Sequence, residues 1–130
     1  MEKKDFPSRN QAITKALRFI HKNYGDPHLN VREIAGHVGM KEKSFLNLFR
    51  REMKTNPMKF LTSVRIKNSK DYLEKSDLSF KEIAIKMGFR DYLTYRNYFR
   101  KIEGMAPDEF RKRINYTRVI KMKEESTIYD

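Results

Sequence analysis

Two asparagines fifty positions apart, Asn47 and Asn97, stand in matching surroundings. A primary amide carries a donor and an acceptor side by side, so it can exchange two hydrogen bonds with an adenine edge. Arg96 has the planar fork that pairs in the same way with guanine. Leu46 and Leu93 suit contact with a thymine methyl, although a stray surface leucine needs no special account. Lys41, Arg50, Arg51, Lys54, Arg90, Arg100 and Lys101 surround these positions. They are better matched to phosphate oxygens than to base edges, and each taken alone could equally be a solvated surface charge. The chemistry on offer is recognition of an anionic, hydrogen-bonding partner rather than the making or breaking of bonds.

Other chemistries lack their residues. Cysteine is absent, which removes disulfides, thiolate metal sites and thiol catalysis. His21, His28 and His37 are scattered without acidic companions at metal-ligand spacing. No glycine-rich phosphate loop or nucleophile elbow occurs. Glu124 and Glu125 fall in a polar tail. No catalytic residue, metal or cofactor is expected, and the chain is not read as an enzyme. There is no signal-peptide pattern and no apolar run long enough to cross a bilayer. The 29 Lys and Arg against 17 Asp and Glu leave a net charge of +12 over 130 residues. Such an excess favours a polyanionic partner: nucleic acid first, an anionic membrane surface second.

Helices must position these side chains, because few stretches favour strands. Ser8 can cap a first helix carrying Ile13, Ala16, Leu17 and Ile20 on one face, ended by Gly25-Asp26-Pro27. Asn30 with Glu33 opens a short helix that Gly39 stops, and a second runs to about Arg51, burying Phe45, Leu48 and Phe49. Asn56-Pro57 starts a longer helix to about Leu73. Ser79 with Glu82 opens another short helix, ended by Gly88, and Asp91 to Lys101 forms the next. Pro107 starts a last helix through Phe110. Residues 114–130 are an extension that either lengthens that helix or frays.

An internal repeat organises these elements. Arg32-Glu33-Ile34-Ala35 aligns with Lys81-Glu82-Ile83-Ala84 and Gly39 with Gly88, at an offset of 49; beyond one inserted residue the offset is 50. There Phe45 meets Tyr95, Asn47 meets Asn97, Phe49 meets Phe99, Arg50 meets Arg100 and Pro57 meets Pro107. A capped short helix, a glycine and a second amphipathic helix, used twice, is helix-turn-helix construction. A solenoid would call for a third copy. The fold is therefore expected to be all-α: a first helix-turn-helix subdomain over 8–56, a linker helix over 57–74, a second subdomain over 75–113, and the extension.

In the second helix of each unit the buried positions are Phe45, Leu48 and Phe49, then Tyr95, Phe99 and, in part, Tyr98. Helical geometry turns Lys43, Ser44, Leu46, Asn47 and Arg50 outward in the first, and Tyr92, Leu93, Arg96, Asn97 and Arg100 in the second. An α-helix fits the major groove, with its outward side chains at base edges. A linker helix of about 16 residues spans roughly 24 Å and, with packing width, spaces two such helices by about one DNA turn, ~34 Å. The tyrosines of the second helix could instead stack bases of a single strand, but core packing explains Tyr95 and Phe99 more plainly.

The arrangement resembles the DNA-binding domain of the AraC/XylS family of bacterial transcription regulators. The resemblance rests most on Asp77-Leu78-Ser79-Phe80-Lys81-Glu82-Ile83-Ala84, Met87-Gly88-Phe89, Tyr98-Phe99-Arg100-Lys101 and Gly104-Met105-Ala106-Pro107-Asp108-Glu109-Phe110-Arg111. It implies about seven helices and a sequence-specific, double-stranded DNA-binding regulator whose two recognition helices enter successive major grooves. By position, its base-contacting residues are Lys43, Leu46, Asn47, Tyr92, Leu93, Arg96 and Asn97. It also implies a cytoplasmic protein that is most often an activator touching RNA polymerase, monomeric as an isolated domain. Many members carry a further sensing or dimerisation domain and others stand alone, so a larger dimeric regulator and a short complete one both remain open.

Departures from the family pattern matter. Lys41 and Arg90 replace a serine common at the start of the recognition helices, so a cap must come from elsewhere, Asp91 being the candidate. Lys54 stands where a turn glycine is common, and Ala106 where threonine is frequent. Asparagine at both Asn47 and Asn97 shifts the expected preference toward A·T pairs. Lys41, Leu46 and Leu93 also leave room for a helical interaction module that kept the fold without reading DNA. Non-specific architectural DNA binding is a third class.

Overall fold

The computed structural model describes residues 9–128, and their side chains from 11 to 126. Among the described residues there are seven helices and no strand: α1 Arg9–Asn23, α2 Val31–His37, α3 Glu42–Met53, α4 Pro57–Lys75, α5 Phe80–Lys86, α6 Tyr92–Glu103 and α7 Pro107–Ile128. The cap expected from Ser8 lies outside the described residues. Contacts divide the chain into two compact units, the first ending at Arg65 and the second opening at Ile66, within α4.

Local chemistry starts these helices where the sequence marks them. Asn30 Oδ1 accepts from the Glu33 N–H at 2.9 Å, Asn56 Oδ1 from Lys59 at 2.9 Å and Asp91 Oδ1 from Thr94 at 2.8 Å. Ser79 and Glu82 form a reciprocal capping box, each bond 3.0 Å long. Asp91 is thus the cap of α6, while Lys41 opens α3 with no side-chain cap.

Matching ends close α2 and α5. Gly39 at φ 75° and Gly88 at φ 95° occupy the left-handed region, and Met40 N–H reaches Ala35 O as Phe89 N–H reaches Ala84 O, both at 3.0 Å. A side chain at either glycine would strain the turn that sets the angle between paired helices. α4 and α6 each run two residues past the expected ends at Leu73 and Lys101. α7 resolves the choice left by the extension, continuing as helix to Ile128.

The first unit packs Ala16 and Ile20 of α1 against Ile34 and Ala35 of α2, Phe45 and Phe49 of α3, and Leu61 and Val64 of α4. The second buries Ile66 and Leu73 of α4 with Ile83, Ala84, Met87, Phe89, Tyr95 and Phe99. Small Ala35 and Ala84, at 1% and 0% exposure, leave room for α3 and α6 to cross closely.

Two arginines are structural. Arg65, 7% exposed, donates through Nε to Tyr24 O at 2.7 Å and through Nη2 to Asp26 O at 2.8 Å, holding the turn after α1. Burial lowers its pKa, and the Asp26 charge opposes that shift. Arg111 of α7 donates to the carbonyls of Leu73 and Leu78 at 2.9 Å, and through Nη2 to Ser76 and Tyr72 at 3.2 and 3.3 Å. In each unit a guanidinium from the last helix satisfies carbonyls where the first helix ends.

Candidate nucleic-acid interface

α3 and α6 are each amphipathic, with an aromatic inner side. Phe45 and Phe49 meet at a tilt of 54° with centroids 5.7 Å apart in α3, and Tyr95 and Phe99 meet edge to face at 5.8 Å in α6. At about 100° per residue, the positions opposite these rings are Lys43, Asn47 and Arg50 in α3, and Leu93, Asn97 and Arg100 in α6. All six are exposed, Leu93 to 63%. On each helix the outward asparagine is therefore flanked by side chains with nothing from its own unit covering them.

Positions on the flanks depart from the sequence reading. Leu46, expected outward, is half-buried, as are Tyr92 and Arg96. Tyr92 packs against Phe80 at 6.2 Å and Tyr95 at 6.3 Å. Burial raises its pKa, the Asp108 charge adds to that, and the nearby Arg96 guanidinium opposes the shift. Tyr98, expected partly buried, is instead 43% exposed and stacks on Phe89 at 6.1 Å. Its counterpart in the first unit, Leu48, is 5% exposed.

Every candidate phosphate cation is exposed. Lys41 lies at the N-cap of α3, and Arg50 and Arg51 in its last turn. Lys54 caps α3 in the left-handed conformation at φ 61°. Arg90 precedes the Asp91 cap, and Arg100 and Lys101 sit in the last turn of α6. Cations in a last turn also offset the helix dipole, a purely structural account of four of them. Asp91 is held below its usual range first by the Thr94 backbone bond. It stays ionised as a cap at neutral pH.

Inside the second unit, burial pushes the Tyr95 hydroxyl pKa up to about 12. The neighbouring Ser69 hydroxyl offsets part of that shift, yet it donates to Ile66 O at 2.7 Å and gives Tyr95 no bond of good geometry. Among the described residues no group of three or more His, Cys, Asp or Glu side chains could hold a metal, and no helix is long and apolar enough to cross a membrane. His37 stacks on Phe19 at 4.2 Å and His21 meets Phe60 edge-on at 5.9 Å.

Sequence reasoning missed the roles of Arg65 and Arg111. A signal existed for Arg111: α4 is followed by Ser76 rather than glycine, so its last carbonyls needed a donor from elsewhere.

A family model described as a helix-turn-helix domain matches residues 34–113, more than half of the chain. The melibiose operon regulatory protein of Escherichia coli (strain K12) is 31% identical over 100 residues, covering 77% of this chain and 33% of that protein. The chain thus spans about a third of the length of such relatives. The DNA-binding domain of AdpA, a global transcriptional factor solved in complex with a target DNA, superposes with a TM-score of 0.77 at 24% identity, covering 82% of this chain and 96% of that one. A transcriptional regulator from Chromobacterium violaceum, described among AraC-type DNA-binding domain proteins, gives 0.76 at 23% identity, with 81% and 93% coverage. The two structures show that the fold is shared.

Proposed function

Since the chain belongs to the AraC-type helix-turn-helix family of transcription regulators, which are not enzymes, we propose that it binds double-stranded DNA sequence-specifically, with α3 and α6 entering successive major grooves. Lys43, Leu46 and Asn47 meet bases from α3, and Tyr92, Leu93, Arg96 and Asn97 from α6. Lys41, Arg50, Arg51, Lys54, Arg90, Arg100 and Lys101 hold the flanking phosphates and fix orientation. In this reading the protein acts in the cytoplasm as an activator that touches RNA polymerase, alone or as part of a larger dimeric regulator. The observation that carries the reading is the repeated exposed asparagine, set opposite the buried ring pair on both helices.

Selection of bound sequences from random duplexes, followed by fluorescence anisotropy at about 0.15 M salt, tests specificity and site length together. Asn97→Ala should weaken binding to the selected site by about 1–3 kcal/mol and relax preference at one position. Equal losses on selected and random DNA would remove Asn97 from base reading. A second reading, a protein-interaction module on the same fold, draws on the exposed Tyr116, Val119 and Met122 of α7. Failure of the wild type to bind any duplex would favour it, whereas binding with no sequence preference would favour non-specific architectural DNA binding.

A further inference from the structure

We infer that Tyr98 is a further DNA-binding residue: its hydroxyl donates to a backbone phosphate on one flank of α6. The inference rests on the proposed DNA reading and adds a contact to it. Three observations point to this role. First, the internal repeat shows that the fold needs only an aliphatic residue here, since Leu48 fills the same place in α3 and is buried. A tyrosine that is 43% exposed is therefore not dictated by the core.

Second, the ring is braced. Tyr98 lies nearly parallel to Phe89, 29° between planes at 6.1 Å, and Phe89 is itself buried against Tyr95 at 5.4 Å. The counterpart of Phe89 in the first unit is Met40, so both members of this stack are particular to the second unit. A braced aromatic has two side-chain torsions and little freedom to lose on binding, so its hydroxyl is held ready at small entropic cost.

Third, the helical wheel places it at a groove wall. At about 100° per residue, Tyr98 lies about 100° round α6 from Asn97, beyond Lys101, while Arg96 lies as far round on the other side. A helix inserted with Asn97 toward the bases meets one sugar-phosphate strand on each flank. Lys101 and Tyr98 then share a flank, the cation supplying charge and the phenol a directional donor. Such a contact fixes register, so that Asn97 arrives at its base in one orientation.

Tyr98→Phe tests this without disturbing the stack. Anisotropy titrations of the full chain on the selected duplex and on a random duplex, from about 0.05 to 0.3 M salt, should show both affinities falling about 3- to 10-fold. The slope of log affinity against log salt should stay unchanged, because the lost donor is neutral. Lys101→Gln, by contrast, should lower that slope by about 0.9. The thermal midpoint of Tyr98→Phe should equal that of the wild type. Wild-type affinity on both duplexes would overturn the assignment, and loss on the selected duplex alone would make Tyr98 a base reader instead. A wild type that binds neither duplex sinks the DNA reading itself, a result separable from any effect of the variant.

Discussion

Replacing Arg111 with methionine keeps an unbranched apolar stem while deleting every donor. The guanidinium makes two bonds of 2.9 Å, to Leu73 O and Leu78 O, while Nη2 divides itself between Ser76 O and Tyr72 O at 3.2 and 3.3 Å. That amounts to three bonds from a charged donor, each contributing about 1.5–3 kcal/mol where fully sheltered. Arg111 is half-buried and lies over the Phe80 ring at 5.0 Å, so water reaches some of the released carbonyls. With that discount, Arg111→Met should cost about 3–5 kcal/mol, a large part of a total of about 5–15. Arg111→Lys keeps a charge but not the fork, and should lose about 2 kcal/mol. Urea unfolding followed by far-UV circular dichroism reads this directly. With a slope of about 1.5 kcal/mol per molar, the methionine midpoint should fall by about 2–3 M. The contrary account makes Arg111 one more phosphate clamp. It forecasts an unchanged midpoint and a reduced salt dependence of DNA binding, and that pair of results would refute the structural role.

The remaining expectations concern backbone strain and alkaline stability. Lys54 at φ 61° and its counterpart Gly104 at φ 83° make the same closing bond, to Arg50 O and Arg100 O at 2.9 Å. Lys54→Gly should therefore stabilise the protein by about 0.5–1 kcal/mol and Gly104→Ala cost about 1; thermal midpoints moving the opposite way would show that the turn is not strained. For Tyr95 the pKa is raised on folding, so its contribution is fully present below about pH 10 and is lost as pH rises toward about 12. At about 1.4 kcal/mol per pH unit this amounts to roughly 2–3 kcal/mol. Tyr95→Phe, which copies Phe45 and removes a buried hydroxyl without a partner, should be at least as stable as the wild type at pH 7 and exceed it by a wider margin in a urea titration at pH 11.5. Parallel pH profiles for the two proteins would place the alkaline loss in other groups.

What the sequence made legible is local. Seven helices follow from apolar periodicity, from caps such as Asn30, Asn56, Ser79 and Asp91, and from stops such as Gly39 and Gly88, all acting within one or two turns. The length of α7 was not legible from a stop signal, because neither glycine nor proline follows Pro107. Outward positions near the middle of the exposed arc, Asn47 and Asn97, could be read from the period alone. Flank positions could not: whether Leu46, Tyr92 or Tyr98 is covered depends on which neighbour packs beside it, and the two units differ there. Arg65 and Arg111 were illegible for another reason. Their carbonyl partners lie 33 to 41 residues away, so even where Ser76 in place of a glycine marks carbonyls in need of a donor, no local pattern says which residue supplies it.

The two copies of the unit divide their residues differently between order and charge. At the opening of its second helix the second copy has Asp91, a cap, and the first has Lys41, which makes no capping bond. At its close the second has Gly104, unstrained in the left-handed region, and the first has Lys54. Each exchange costs α3 about 0.5–1 kcal/mol of local stability. Together they move its charge by +3, since aspartate becomes lysine at one end and glycine becomes lysine at the other. The ends of an inserted helix are where phosphate strands pass closest. Under the proposed DNA reading, the first unit accepts an α3 readier to fray at both ends in exchange for cations at the phosphate strands. The second keeps its helix rigid, with Arg90, Arg100 and Lys101 beside the caps rather than in place of them. On this reasoning Lys41→Asp or Lys54→Gly should steady α3 yet weaken binding to selected and random duplexes alike, whereas Asn47→Ala and Asn97→Ala should change which sequence is preferred.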